Sequence, residues 1–432
     1  MTKAMGSAMR RIQAGNALSA FGLGFTVPYL YVYVAQVRDL GPTSAGIVLA
    51  AFAMAALVAL PFVGLLIDRR GPVPVLIGAA LSASVGAVAL GSASSLATAV
   101  ASAGVLGIGT AVMQPALATM IVRCSAPETR TRSFAMQFFL QNLGLGIGGL
   151  IGGQIVDKNN PGSFTLLFGI EAVMFLVLAG IALTVRMPHI PAVEGAESGQ
   201  GFFAGLGVLV KHKAMLQLCV LGFVIFFACY GQFESGLAAY GTEAAGIDPA
   251  TLGIALAANT AMIVLAQFLV LKFVERRRRS RMIALVGLIW TVAWLIAGYA
   301  GLGHGSQAMA TAAFISTYAL FGLGEAMLSP TVAPLVADLA PESMVGTYNS
   351  AFALVKQLAL AVGPAVGGPM GASLHMPYIV TFVLFSLGIS VLALRMGKRL
   401  TPVQDLPLSV KSIVVAQHVP DATAEKQVKT AA

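Results

Sequence analysis

Side chains able to hold a proton are conspicuous in this chain, because they stand where little else is charged. The stretch "ALFGLGEAMLSPTVAPL" (319–335) holds one glutamate, Glu325, and between Arg281 and Asp338 the only other acidic or basic side chain is His304. Lys356 is set the same way inside "YNSAFALVKQLALAVGPAVGG" (348–368), and Glu234 inside "FFACYGQFESGLAAYG" (226–241). A carboxylate in apolar surroundings favours its protonated form, and an approaching ammonium favours the ionised one. Motion that alters either environment would make Glu325 take up and release a proton, with Lys356 as its modulator and Glu234 as a second candidate. The plainer reading is an ion pair that only fixes helix packing. Glu171, alone in its own apolar stretch, reads as a hydrogen-bonded structural acid.

Other chemistries have no such support. Cys124, Cys219 and Cys229 show no metal-ligand spacing and no pair placed for an extracellular disulfide. The five histidines, His189, His212, His304, His375 and His418, fall in links or the tail, so no catalytic cluster of a membrane-embedded enzyme is visible. No Gly-x-x-x-x-Gly-Lys-Ser/Thr loop occurs, so ATP drive is unsupported. Neither metal nor organic cofactor is expected. An ion gradient, of protons or of sodium, remains as the energy source.

The elements that must hold these groups follow from composition. The 432 residues are 57% hydrophobic and 10% charged, with a mean hydropathy of +0.86. That excludes an ordinary soluble domain and predicts an all-α integral membrane protein. With roughly 20 apolar residues per crossing, twelve transmembrane helices are predicted: 14–36, 44–67, 73–92, 97–122, 133–156, 164–185, 214–237, 249–271, 282–302, 308–334, 345–372 and 377–396. The expected organisation is a six-helix bundle at 1–185, a cytoplasmic linker at 186–213, a second bundle at 214–396 and a flexible cytoplasmic tail at 397–432.

The net charge of +9 is not a nucleic-acid signal, because of where it sits. Arg38 and Lys158 fall in links on one side and Lys356 within a span; the other basic residues occupy the tails and alternate links, including "ERRRRSR" (275–281). Retention of positive charge in the cytoplasm then places both termini inside. The run at 276–281 reads as an orientation anchor, with contact to anionic membrane lipid as a second use.

The chain also repeats itself. "GIGTAVMQPALATMIVRCSAPE" (107–128) parallels "GLGEAMLSPTVAPLVADLAPE" (322–342), and "QNLGLGIGGLIGG" (141–153) parallels "KQLALAVGPAVGG" (356–368) at the same offset. Spans 4–5 therefore recur as spans 10–11. Parallel repeats of this kind place a substrate site between the halves near the midplane and work by rocking one half against the other. Glu325 corresponds to Thr110 and Lys356 to Gln141, so the second half carries charge where the first carries neutral polar groups. Similar depths along adjacent antiparallel helices could bring Glu325 and Lys356 together.

On these features the sequence resembles the major facilitator superfamily. "GLLIDRRGPVPVL" (64–76) is similar to that family's G-x-L-x-D-R-x-G loop through Gly64, Leu66, Asp68, Arg69 and Gly71. "GLGFTVPYLYVYV" (22–34) looks like the opening helix of the drug/proton antiporter branch. The resemblance implies a monomeric multi-pass protein of the cell membrane, of bacterial inner-membrane type, working by alternating access. It also implies that Gly64, Asp68, Arg69 and Gly71 latch a cytoplasmic gate against the start of span 11 near Val345. Four positions depart from that pattern: Pro72 and Val73 replace basic residues, Ala103 stands where the branch has an arginine, and Gly149 replaces a proline.

Family precedent lines the cavity with spans 1, 4, 7 and 10. Stripes at helical spacing supply candidates: Thr26 and Tyr29 (with Tyr33 and Gln36) in span 1, Phe227 and Tyr230 (with Phe223) in span 7, and Tyr318 and Phe321 (with Phe314) in span 10. Gln114, Gln141, Asn142, Asn259 and Gln137 add polar positions. Aromatic faces near carboxylates suit a bulky hydrophobic or cationic organic molecule, and the resemblance to the drug/proton antiporter branch implies its export in exchange for protons. Proton-coupled uptake or facilitated passage of a small nutrient is the alternative within transporters, and a membrane enzyme or receptor a more distant one.

Overall fold

The computed structural model describes residues 3–26, 29–157, 159–187, 202–233, 235–302 and 306–406. Glu234, residues 188–201 of the 186–213 linker and the tail beyond 406 lie outside the described residues.

Helices make up the described chain, as long apolar runs require where only intra-helical bonding can satisfy the backbone. In order they are α1 (Lys3–Thr26), α2 (Leu30–Val32, continuing as a π-turn Tyr33–Val37), α3 (Gly41–Arg70), α4 (Pro72–Gly91), α5 (Leu96–Cys124), α6 (Pro127–Ile155) and α7 (Pro161–Leu183). They continue as α8 (Phe202–Lys211), α9 (Lys213–Ala228), α10 (Gly236–Glu243), α11 (Pro249–Val274), α12 (Arg279–Ala300), α13 (Gln307–Leu339), α14 (Val345–Ser373), α15 (His375–Gly397) and the short α16 (Pro402–Asp405). Two apolar cores result. Tyr33, Phe164, Phe168 and Phe175 are buried in the first, Trp290, Trp294, Phe321 and Phe382 in the second. Leucines such as Leu150 and Leu265 lie open on the outer faces, where a bilayer would cover them.

Among the described residues eleven helices are long and apolar enough to cross a bilayer. The seventh expected span differs: instead of running unbroken over 214–237, α9 ends at Ala228 and α10 starts at Gly236. The reason is tertiary. Buried Gln232 donates from Nε2 to the Phe227 carbonyl (3.0 Å), which the break has freed, and its Oε1 accepts from the Tyr378 hydroxyl (3.2 Å). Irregular backbone at this depth survives because protein groups bond it.

Glycines carry the broken helices. A Cβ on Gly363 of α14 would lie 2.6 Å from Gly231 Cα, inside the break, so only glycine permits that approach. In the first bundle, a Cβ on Gly144 of α6 would lie 2.7 Å from the Ala17 carbonyl of α1. The glycine run of span 5 therefore seats α6 against α1, and α14 repeats the arrangement against α9–α10.

Candidate functional site

The two bundles meet around a cavity of about 260 Å³. Its walls come from α5 and α6 on one side and from α9, α13 and α14 on the other. Gln114 faces it with Ser329, Ala118 with Ala333, and Gln141 with Lys356. Each couple occupies equivalent positions of the repeat, so the cavity sits on the axis relating the halves.

Glu325 lies just behind this wall, 3% exposed. Its Oε1 accepts from Asn259 Nδ2 at 2.7 Å, and the Tyr230 hydroxyl lies within electrostatic reach of the carboxylate. Asn259 is held in turn by the Tyr318 carbonyl (3.3 Å). Tyr230 stands between inside and outside, since it lines the cavity and acts electrostatically on the buried acid. Lys356 Nζ lies 5.3 Å from the centre of the Phe226 ring, where the ring face attracts a cation, and its charge reaches Glu325. Among the described residues no ion pair within 4.0 Å joins the two. The arrangement can store a proton on a carboxyl and exchange it with the cavity past one hydroxyl.

The structure thus gathers Glu325, Lys356, Tyr230, Asn259, Gln114 and Gln141 at the cavity, and seats other candidates elsewhere. Phe227, Tyr318 and Phe321 are buried in the second core; Phe227 stacks on Phe382, Phe321 meets Trp290 and Trp294 edge-on, and the Tyr318 hydroxyl donates to the Phe233 carbonyl (2.7 Å). A helical stripe identifies a face but not its neighbour, and the neighbours of this face are α12 and α15. Thr26 donates to Glu171, whose other oxygen has no partner. Tyr29 donates to the Gly149 carbonyl (2.5 Å), and Asn142 to Phe138 of its own helix (2.9 Å).

At the end of the bundle carrying most of the basic links, bonds cross between the halves. Asp68 Oδ1 accepts from the Gly346 N–H (2.6 Å), and its Oδ2 from the Thr347 N–H (2.8 Å) and hydroxyl (2.6 Å). These are the first turn of α14, whose unpaired amides and dipole favour an anion. A Cβ on Gly64 would fall 2.6 Å from Thr347 Cα, and Gly71 turns the chain at φ +83°. Arg69 is exposed.

Sequence reasoning missed the rest of this seam. Asp338 pairs with Arg130 across the halves and with Arg279 of its own half (2.6 Å). Arg132 grips Glu275 with two bonds (2.7 and 2.8 Å). One signal was present: Asp338 occupies the repeat position of Arg123, an inversion of charge between the halves.

Comparison with known proteins agrees with this geometry. The family model described as Major Facilitator Superfamily matches residues 14–364 and again 235–416. The multidrug resistance protein MdtH of Aeromonas hydrophila is 26% identical over 340 residues, covering 77% of this chain and 80% of that protein. The quinolone resistance protein NorA of Staphylococcus aureus is 22% identical over 354 residues, covering 81% and 86%. Among solved structures, the transporter FucP in its outward conformation superposes with a TM-score of 0.76 over 90% of this chain and 98% of that one, at 15% identity. With a duplicated helical fold, a glycine-bounded Asp-Arg loop docked on the opposite half and a family model spanning most of its length, the chain belongs to the Major Facilitator Superfamily of membrane transporters.

Proposed function

We propose that this transporter exports bulky hydrophobic or cationic organic molecules in exchange for protons, with Glu325 as the proton carrier. The observation that carries this reading is the nearness of Tyr230 to the buried Glu325, because Tyr230 is also cavity wall. Substrate in the cavity and a proton on Glu325 would then act on one side chain from opposite sides. Lys356 contributes a cation facing Gln141, so a cationic substrate is disfavoured while Glu325 is protonated and tolerated once it is ionised. The drug-resistance names of MdtH and NorA support the substrate class.

The bundles at 1–185 and 214–396 would rock about the cavity, with the basic end and both termini in the cytoplasm of a bacterial cell. The closed seam at that end, and the outward conformation of FucP, support an outward-facing state with Asp68 as the latch. Reconstitution in liposomes with an internal pH dye tests the assignment. Addition of tetraphenylphosphonium should drive proton movement by the wild type and none by Glu325→Gln, which keeps shape and hydrogen bonding but cannot ionise. Normal coupling in the variant would return Glu325 to a structural role.

A further inference from the structure

The basic run after α11 does more than mark an end of the molecule. Lys272, Arg276, Arg277, Arg278 and Arg281 ring a concavity of about 500 Å³ at the junction of α11 and α12. Its remaining wall is apolar, with Phe273 and Met282 facing in, and the Arg277 guanidinium lies 4.4 Å from the Phe273 ring centre.

The acids nearby are already engaged. Glu275 is held by Arg132, Asp338 by Arg130 and Arg279, and Asp405 accepts from the Ser280 backbone N–H (2.9 Å) and hydroxyl (3.1 Å). Among the described residues only Arg278 of the five ring cations has a carboxylate within 4.0 Å, that of Asp405. Five cations around one hollow repel one another unless an anion joins them.

A second feature indicates which anion. Phe273 continues an outward stripe at four-residue spacing on α11, with Leu269 76% and Leu265 79% exposed. Helical geometry stacks these three side chains in one line descending from the hollow. We infer that this hollow is a binding site for an anionic phospholipid, its phosphate among the arginines and its acyl chains along Phe273, Leu269 and Leu265. Arginine suits the task, since its planar fork grips phosphate oxygens in pairs. The occupied loop is also the one that supplies Glu275 and Arg279 to the seam, so the lipid would brace the closed end.

The test uses the full-length protein in a neutral detergent, titrated with phosphatidylglycerol, phosphatidylcholine or inorganic phosphate and read by native mass spectrometry. The expected result is saturable retention of one phosphatidylglycerol in preference to phosphatidylcholine. Replacing Arg276, Arg277 and Arg281 together by Gln should weaken it about 100-fold, at about fivefold for each cation near the headgroups. Replacing Arg395, Lys398 and Arg399 by Gln, an equal charge loss elsewhere, should leave it unchanged. Phe273→Ser keeps every charge and should weaken retention of the lipid but not of phosphate. Equal loss in both triple variants would overturn the site in favour of diffuse surface charge. Phosphate that binds as tightly as the lipid, with Phe273→Ser silent, would overturn the lipid as its source.

Discussion

The centre of the molecule and its closed end are bonded by opposite rules. Around Glu325 the partners Asn259, Tyr230 and Lys356 all belong to the second bundle. At the closed end the bonds cross: Asp68 to Gly346 and Thr347, Arg130 to Asp338, Arg132 to Glu275, and Asn349 to Thr119 (3.3 Å). Rigid rocking of two bundles would break the second set and leave the first intact. If Glu325 is the proton carrier, its bonding would be kept through such rocking, and what would alternate is the side from which the cavity, and Tyr230 with it, meets water. Glu325 and Lys356 sit on α13 and α14 of the same bundle, so rigid rocking would change the exposure of Glu325 and not its distance from Lys356.

Substitutions at the two regions should separate accordingly. Asp338→Asn has the largest expected effect, since it leaves Arg279, 2% exposed, and Arg130 without their countercharge. Loss of one partner of such a buried pair costs about 3 kcal/mol or more, readable as a fall in the thermal unfolding midpoint of purified protein. Asp68→Ala should come next. Removing the acceptor of three bonds, one or two of them worth about 1.5–3 kcal/mol each as charged contacts, should open the seam. Thiol labelling of an Ala333→Cys reporter in the cavity would then rise, against the low background of the buried native Cys124, Cys219 and Cys229.

Tyr230→Phe reverses the pattern. It keeps the packing and removes the hydroxyl beside Glu325, so coupled proton flux should fall roughly tenfold, about 1.4 kcal/mol, while Ala333→Cys labelling stays at its wild-type level. Labelling that changed as much as in Asp68→Ala would erase the distinction between centre and seam. Smallest is the pH response of the outermost link. Arg132 holds the Glu275 carboxyl below its ordinary value, chiefly through its hydrogen bond. A depressed folded value means the stabilisation is present above the ordinary carboxylate range, near pH 4.3, and is lost as pH falls through the lower folded value. Arg132 is 66% exposed, so the contribution is at most about 1 kcal/mol. The midpoint difference between wild type and Arg132→Gln should vanish under strong acid and be small at neutral pH.

Legibility in the sequence followed the range of the interaction. Long apolar runs announced the helices, and the repeat announced the axis on which Gln114–Ser329 and Gln141–Lys356 face each other. The Gly64–Gly71 loop announced Asp68, because its glycines answer to local turn geometry and close approach. The break after Ala228 was hidden, since it depends on Gln232 meeting Gly363 and Tyr378 from distant helices. Phe321 and Tyr318 were misplaced because periodicity fixes a face without naming the helices against it. Nothing local in the sequence sets Asp338 apart, since its partners Arg130 and Arg279 come from two other elements.

Proton release on substrate binding tests the central assignment most directly. Purified protein in weakly buffered detergent, near the pH at which coupling is half-maximal, would receive tetraphenylphosphonium while a pH indicator follows the solution. The account predicts that wild type releases protons in step with binding, and that Glu325→Gln binds the cation and releases none. Equal release from the variant would contradict the account and place the carrier on another residue.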